Sequence, residues 1–213
     1  MTVTLLHYTP LDVADTAIGK CWGKGCMPTY DKLVERMDRV ANKHKHASTI
    51  EHLTYNFDID GISRACLQEL ARHRISSFSV KSSRYTLNEL KSEEPFTSYT
   101  DLLHQEYISD GYERASNYLV FTGNAKVDRM AILALDNLRD LVADGISNDQ
   151  LKYAMPEAYK TSLIWSVNAR SLQNFLSLRS DKAALWEIRN LAHAIYNQIP
   201  DDHKFLFEAS IKK

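Results

Sequence analysis

The chain has 213 residues, of which 44% are hydrophobic and 25% charged. This composition predicts a globular protein whose core is large enough to be stable without disulfide bonds or structural metals. Its 26 basic and 27 acidic residues give a net charge of -1, which disfavours a dedicated nucleic-acid-binding protein because such a protein needs a large basic excess. No run of about 18 apolar residues is present, so the sequence predicts no transmembrane helix.

The cysteines of the chain are few. Cys21, Cys26 and Cys66 form no disulfide framework, and no histidine near the first two completes the spacing of a metal site. We therefore expect a reducing compartment. The N-terminus lacks a charged start followed by a long apolar run, so it is a poor signal peptide, and the sequence predicts a cytoplasmic protein.

Hydrophobic periodicity and turn residues predict the elements in chain order. The predicted helices cover 31–45, Ser63 to about Arg72, 98–122, 126–143, 147–155, a segment capped by Asn168, and Asp181 to Pro200. The predicted strands cover 53–59, ended by Asp60-Gly61, and 161–167, and the Ser-rich stretch 75–86 is expected to be extended or looped. Few strands among many helices, without regular βαβ alternation, predict an α+β fold. The stretch 19–25 matches neither the Rossmann nor the Walker pattern, so no Rossmann domain is expected.

The first polar segment begins at the end of the helix predicted from Ser63. Arg72, His73 and Arg74 are followed by a Ser-rich stretch that leads to Ser82, Ser83 and Arg84. Cations at a helix C-terminus complement the helix dipole, and that structural explanation accounts for them equally well. The functional alternative is an anion site, because arginine forks, serine hydroxyls and free backbone N–H groups all bind phosphate.

The second polar segment is Asn168-Ala-Arg170-Ser-Leu-Gln-Asn174-Phe-Leu-Ser-Leu-Arg179. Arg170 and Asn174 are four residues apart and share a helix face, roughly 6 Å apart at Cβ. That face lies opposite an apolar stripe of Leu172, Phe175 and Leu176. A solvated face of an amphipathic helix is the usual meaning of such residues.

Together the two segments resemble the signatures of flavin-dependent thymidylate synthases, the ThyX family. The first has Arg-His-Arg, seven residues, Ser, then Arg-Tyr, and the second has the form NARSLxNFLxLR. The resemblance extends from about His46 to Arg189 and includes an HxSxxEH stretch and the WEIR stretch Trp186–Arg189. It implies a single catalytic domain over 1–213, built on a central mixed or antiparallel sheet flanked by long helices.

The resemblance assigns two groups of site residues. FAD would be bound by His46, Ser48, Glu51, Arg72, His73, Arg74, Asn168, Arg170 and Asn174. The dUMP site would comprise Glu69, Ser82, Ser83, Arg84, Lys152 and Arg179. Among these, Arg179 would polarise the pyrimidine, and Ser82 would be a candidate activator, although the sequence shows no base adjacent to it. The chain departs from many members at Glu69, where they carry Gln, and at Lys152, where Arg is frequent and its bidentate fork is lost.

The resemblance also implies an activity. A methyltransferase of this family reductively methylates dUMP to dTMP with methylenetetrahydrofolate as carbon donor and NADPH-reduced FAD, as a homotetramer with shared active sites. The absence of a cysteine from both polar segments argues against the thiolate addition used by ordinary thymidylate synthases. No metal is expected, since the HxSxxEH stretch lacks the H-E-x-x-H pattern and a third ligand. The alternatives are a flavin enzyme that hydroxymethylates dUMP, an inactive structural oligomer, and a single-stranded RNA-binding module that stacks bases on Phe78 and Tyr85.

Overall fold

The computed structural model describes residues 1–97 and 109–212, which form two compact units. The first unit contains Met1–Asp60, Gln68–Ser79 and Leu163–Lys213, and the second contains Gly61–Leu67 and Val80–Ser162. Over the described ranges, no helix is long and apolar enough to cross a membrane.

Four strands form one sheet in the order β1-β2-β4-β3. They are β1 (Thr2–Tyr8), β2 (Thr54–Ser63), β3 (Ser76–Val80) and β4 (Lys160–Asn168). β1 and β2 are antiparallel, and their register shifts between Leu5 and His7. The sequence did not predict β1, because Val3 is its one fully buried residue and an edge strand of this kind shows little alternation. A small sheet among many helices confirms the α+β class.

The helices follow in chain order. They are α1 (Leu11–Cys21), α2 (Tyr30–Met37), α3 (Arg64–Leu70), α4 (Ser83–Thr86), α5 (Ser109–Ala115), α6 (Ala125–Ala143), α7 (Asn148–Leu151), α8 (Ala169–Arg179) and α9 (Trp186–Gln198). A π-helical stretch, Asp38–Lys43, continues α2, and short 3-10 helices cover Ala47–His52, Leu87–Ser92 and Asp201–Leu206.

Two predicted boundaries around β2 differ from the structure. The strand continues through Asp60-Gly61 to Ser63, because Gly61 adopts a φ of +74° that lets the chain pass without ending the strand. The Ser63 hydroxyl accepts a hydrogen bond of 3.0 Å from the Cys66 N–H, which confirms the predicted cap of α3. That helix ends at Leu70, short of the predicted Arg72.

Three predicted helices need correction, and α1 was not predicted. The predicted 98–122 helix falls in part on 98–108, outside the described residues, and beyond them α5 ends at Ala115. Leu119 pairs instead with Tyr159 in an isolated β-bridge. The helix predicted over 147–155 is limited to Asn148–Leu151. The last helix begins at Trp186, because the Asp181 carboxylate accepts the Ala183 N–H at 2.8 Å in a separate turn.

The core of the first unit explains the position of α8. Alternate residues of β2 and β4 are buried, and α8 and α9 cover the unit with one apolar face each. The buried residues of these elements include Tyr55, Phe57, Ile59, Leu163, Trp165, Val167, Leu172, Phe175, Leu176, Ile188, Leu191 and Ile195. At the end of β4, the Asn168 side chain accepts the Ser171 N–H at 2.8 Å and so starts α8, as the sequence predicted.

The second unit has a core of its own. Its buried cluster consists of Leu87, Leu90, Phe96, Ala115, Leu119, Ile132, Leu135, Leu138, Val142, Leu151 and Tyr159. The Asn124 side chain accepts the N–H groups of Lys126 and Val127 and caps α6, which confirms the helix predicted over 126–143. Within this unit α4 packs against α7.

Candidate active site

A cavity of 1110 Å³ lies within the first unit. Two distant segments of the chain line most of it, namely the stretch after α3 and the exposed face of α8. Eight of the residues predicted from the sequence line this cavity: Glu51, Arg72, His73, Arg74, Asn168, Arg170, Asn174 and Arg179. The fold therefore brings together the two polar segments that are about a hundred residues apart in sequence.

Helix α8 is amphipathic, with an apolar face in the core and a polar face at the cavity. Leu172, Phe175 and Leu176 pack into the core, so Arg170 and Asn174 point away from it toward the cavity. Arg170 donates from one terminal nitrogen to the Glu51 carboxylate at 2.6 Å, although the two side chains are 58% and 43% exposed. An exposed pair of this kind stabilises the fold little. Its charges therefore remain available to a ligand.

Arg179 is held by three hydrogen bonds at the cavity. One terminal nitrogen donates to the Glu69 carboxylate at 2.6 Å, and the other donates to the Glu69 carbonyl at 3.1 Å. Its Nε–H donates to Nε2 of His73 at 3.1 Å. The Arg179 side chain is only 17% exposed, so these bonds act where water screens them weakly.

His73 is buried and uncharged at neutral pH. Burial, and after it the nearby Arg179 guanidinium, lower its pKa from 6.5 to about 4, and Glu69 opposes the change. The ring edge packs against Phe175 with centroids 5.1 Å apart. Because Nε2 accepts from Arg179, the ring proton of the neutral form must lie on Nδ1.

Sequence analysis missed two charged residues of the cavity lining, Lys212 and Asp181. Lys212 lines it and pairs with Asp181, and its backbone N–H donates to the Ser180 hydroxyl at 2.9 Å. The separation of these residues in sequence hides the contact, and no motif marks Lys212. Further lining residues that were not predicted are Ile75, Ser171, Ser177, Leu178, Ala183 and Ala184.

Two predicted FAD residues do not line this cavity. His46 and Ser48 are exposed at the start of the 3-10 helix Ala47–His52, whereas Glu51 of the same helix reaches the cavity. Over the described ranges, no three His, Cys, Asp or Glu side chains group as metal ligands would.

The predicted dUMP residues divide between the two units. Glu69 and Arg179 belong to the first unit, and Ser82, Ser83, Arg84 and Lys152 belong to the second. Arg84 lines a cavity of 450 Å³ with residues of α4, α7 and the turn before α7.

Two backbone contacts fix this part of the second unit. The Arg84 carbonyl accepts from the Asn148 side chain at 2.7 Å, which ties α4 to α7. The Ser82 carbonyl accepts the Tyr85 N–H at 3.1 Å, so the Ser82 side chain stands at the first turn of α4. Lys152 is exposed and directly follows α7.

The two aromatic residues of the RNA-binding alternative have different environments. Phe78 is half-buried and stacks on Trp165, with ring centroids 6.4 Å apart and an interplanar angle of 11°. Tyr85 is 75% exposed. One of the two predicted stacking platforms is therefore already used inside the protein, which argues against that alternative.

Comparison with known proteins identifies the family. Residues 4–203 match the family model described as Thymidylate synthase complementing protein. The chain is 54% identical over 217 residues to a flavin-dependent thymidylate synthase of Campylobacter jejuni, covering 100% of this chain and 99% of that protein. It is 51% identical to a protein of the same name from Helicobacter pylori, with 100% of both covered. The crystal structure of Helicobacter pylori ThyX complexed with FAD and dUMP matches with a TM-score of 0.89 at 50% identity, over 100% of both chains. The chain thus belongs to the flavin-dependent thymidylate synthase family.

Proposed function

We propose that this protein is a methyltransferase that reductively methylates dUMP to dTMP. FAD is the bound cofactor, methylenetetrahydrofolate donates the carbon and NADPH donates the electrons. In the overall reaction C5 of the uracil loses its hydrogen as a proton and gains a methyl group, whose reduction takes two electrons from NADPH. The observation that carries the proposal is that Arg74, Arg170 and Arg179, from distant segments, line one cavity.

The cavity fits a flavin dinucleotide in size and chemistry. Its volume of 1110 Å³ slightly exceeds the usual range for ligand cavities, which is roughly 300–1,000 Å³, as a large dinucleotide requires. Arg72, Arg74 and Arg170 provide planar donors for a diphosphate or a ring carbonyl, and the Asn168 and Asn174 amides can both donate and accept. Bound FAD supplies the redox chemistry, and the protein binds, orients and polarises.

Arg179 is proposed to be the catalytic electrostatic group. A guanidinium has five N–H groups, and three of those of Arg179 are bonded to Glu69 and His73, so two remain for a ligand. A weakly exposed, fixed cation stabilises negative charge that develops on a pyrimidine more strongly than a mobile one in water does. The negative charge on the pyrimidine makes C5 of the uracil a better nucleophile without the help of a cysteine. Among the described residues that line the cavity there is no cysteine.

The remaining predicted residues are proposed to hold the nucleotide. Arg84 supplies a planar fork and Lys152 a point charge for the dUMP phosphate, and Ser82 and Ser83 add hydroxyl groups. Ser82 stays a candidate activator. Glu69 acts on dUMP chiefly through its ion pair with Arg179, since it does not itself line the cavity.

The proposed assembly is a homotetramer in the cytoplasm, with both units acting as one catalytic domain. The family match spans residues of both units. His46 and Ser48, which are exposed and do not line the cavity, are proposed to contact FAD bound by a neighbouring subunit. Light scattering during gel filtration should give four times the mass of the chain.

The proposal is tested by the dUMP-dependent oxidation of reduced flavin. Arg179→Ala should slow it by about 100-fold or more, because it removes a preorganised cation. Ser82→Ala tests the candidate activator in the same assay. Arg39→Ala is the matched control, since Arg39 is exposed in the same unit and does not line the cavity. Unchanged turnover in both the Arg179 and Ser82 variants would refute the assigned roles, and a hydroxymethylated product would refute the reaction.

A further inference from the structure

His73 lines the cavity and also contacts a second lining residue, Arg179. Its side chain is buried, with 9% of the residue exposed, whereas the flanking Arg72 and Arg74 are exposed. The Nε2 atom of His73 is already engaged by the Nε–H of Arg179 at 3.1 Å. One face of its environment is the Phe175 ring, which belongs to the core. A neutral imidazole has one nitrogen that can accept a hydrogen bond, and His73 uses this nitrogen for Arg179.

The arginine is held at three different nitrogens. Glu69 binds both terminal nitrogens, at 2.6 Å with its carboxylate and at 3.1 Å with its carbonyl. With Glu69 as its only partner, the guanidinium could still rotate about the line that joins its two terminal nitrogens. The third bond, from Nε–H to His73, fixes the plane of the group. A long arginine side chain has many rotamers, and a guanidinium that is already fixed does not have to lose that freedom when a ligand binds.

We propose that His73 is a positioning residue for the reaction proposed above, an uncharged acceptor that fixes the plane of the Arg179 guanidinium so that its two remaining N–H groups meet the pyrimidine. The inference rests on the proposed function and goes beyond it, because it gives His73, which lines the proposed flavin cavity, a role toward the nucleotide as well. Protonated, the ring could not accept from Arg179 and would place a second cation beside it.

Two amide variants distinguish an acceptor at Nε2 from one at Nδ1. The side-chain oxygen of His73→Gln can take the place of Nε2, whereas the shorter side chain of His73→Asn reaches only as far as Nδ1. Both remove the ring and its charge, so they differ chiefly in whether Arg179 keeps its third partner. His7→Asn is the matched control, because His7 is exposed on β1 and outside the cavity.

The measurements are FAD content by absorbance, dUMP affinity by titration, and the kcat and KM values for dUMP. We expect all variants to retain FAD and His73→Gln to stay close to the wild type. His73→Asn should lose about 10- to 100-fold in kcat/KM for dUMP, the cost of a misplaced catalytic group. If His73→Asn fails to fold, His73→Phe removes the acceptor while keeping the packing on Phe175, and the same loss is expected.

Three outcomes would overturn the proposal: equal activity of the Gln and Asn variants, a Gln variant as defective as Asn, or loss of FAD as the main defect. Failure of the proposed function looks different. In that case the wild type forms no dTMP at all, while the titration still shows whether dUMP affinity follows the Gln/Asn difference.

Discussion

Acidification is expected to destabilise the protein through His73. Burial, the Arg179 guanidinium and the exposed Arg72 all lower the pKa of this ring, Glu69 raises it, and the result is a pKa of about 4 instead of 6.5. At pH values between about 4 and 6.5, His73 therefore binds a proton in the unfolded chain but not in the folded one. The contribution of His73 to stability is therefore fully present above pH 6.5 and is lost as the pH falls toward 4.

The magnitude follows from the two pKa values. At about pH 5 the expected loss is about 2 kcal/mol of the free energy of unfolding, and the full shift corresponds to roughly 3 kcal/mol. The test is urea unfolding of the wild type and His73→Gln at about pH 7.5 and pH 5, at equal FAD content. The other ionisable groups are present in both proteins, so their effect cancels in the difference. The wild type should lose about 2 kcal/mol more than the variant, and equal losses would refute this reasoning.

Three further variants test the energetics of the first unit, each by denaturant unfolding. Asp15→Asn should cost about 3–5 kcal/mol, because it leaves Arg36 buried without its counter-ion, and a loss below about 1 kcal/mol would contradict this expectation. Glu51→Gln removes the partner of Arg170 from an exposed pair and should cost at most about 1 kcal/mol, while altering flavin affinity if the pair faces FAD. Asn168→Ala removes the cap of α8 and should cost about 1 kcal/mol, and an unchanged stability would show that the cap contributes nothing.

The elements that the sequence predicted well are those with a buried face and a local signal at the end. β4 alternates between buried and half-buried residues along its whole length, and Asn168 then caps the next helix through its own side chain. β1 and the end of β2 were missed for opposite reasons. β1 buries too little to show a pattern, and Gly61 is used inside a strand although glycine usually marks a turn.

The site was predictable as a list of residue types but not as a set of contacts. Motif resemblance named Glu69, His73 and Arg179 separately. It assigned His73 to FAD and the other two residues to dUMP. That the three form one hydrogen-bonded group depends on the packing of α3 and its following segment against α8, over more than a hundred residues of sequence. The Lys212–Asp181 pair at the same cavity depends on tertiary packing in the same way.

The most direct test of the account is tritium release from dUMP labelled at C5, with identification of the nucleotide product. FAD, NADPH and methylenetetrahydrofolate are supplied together and then each is omitted in turn. We predict that flavin-free protein releases tritium and forms dTMP with the complete mixture, and that dTMP formation is lost on each omission. Full activity of flavin-free protein without added FAD, or a product other than dTMP, would contradict it.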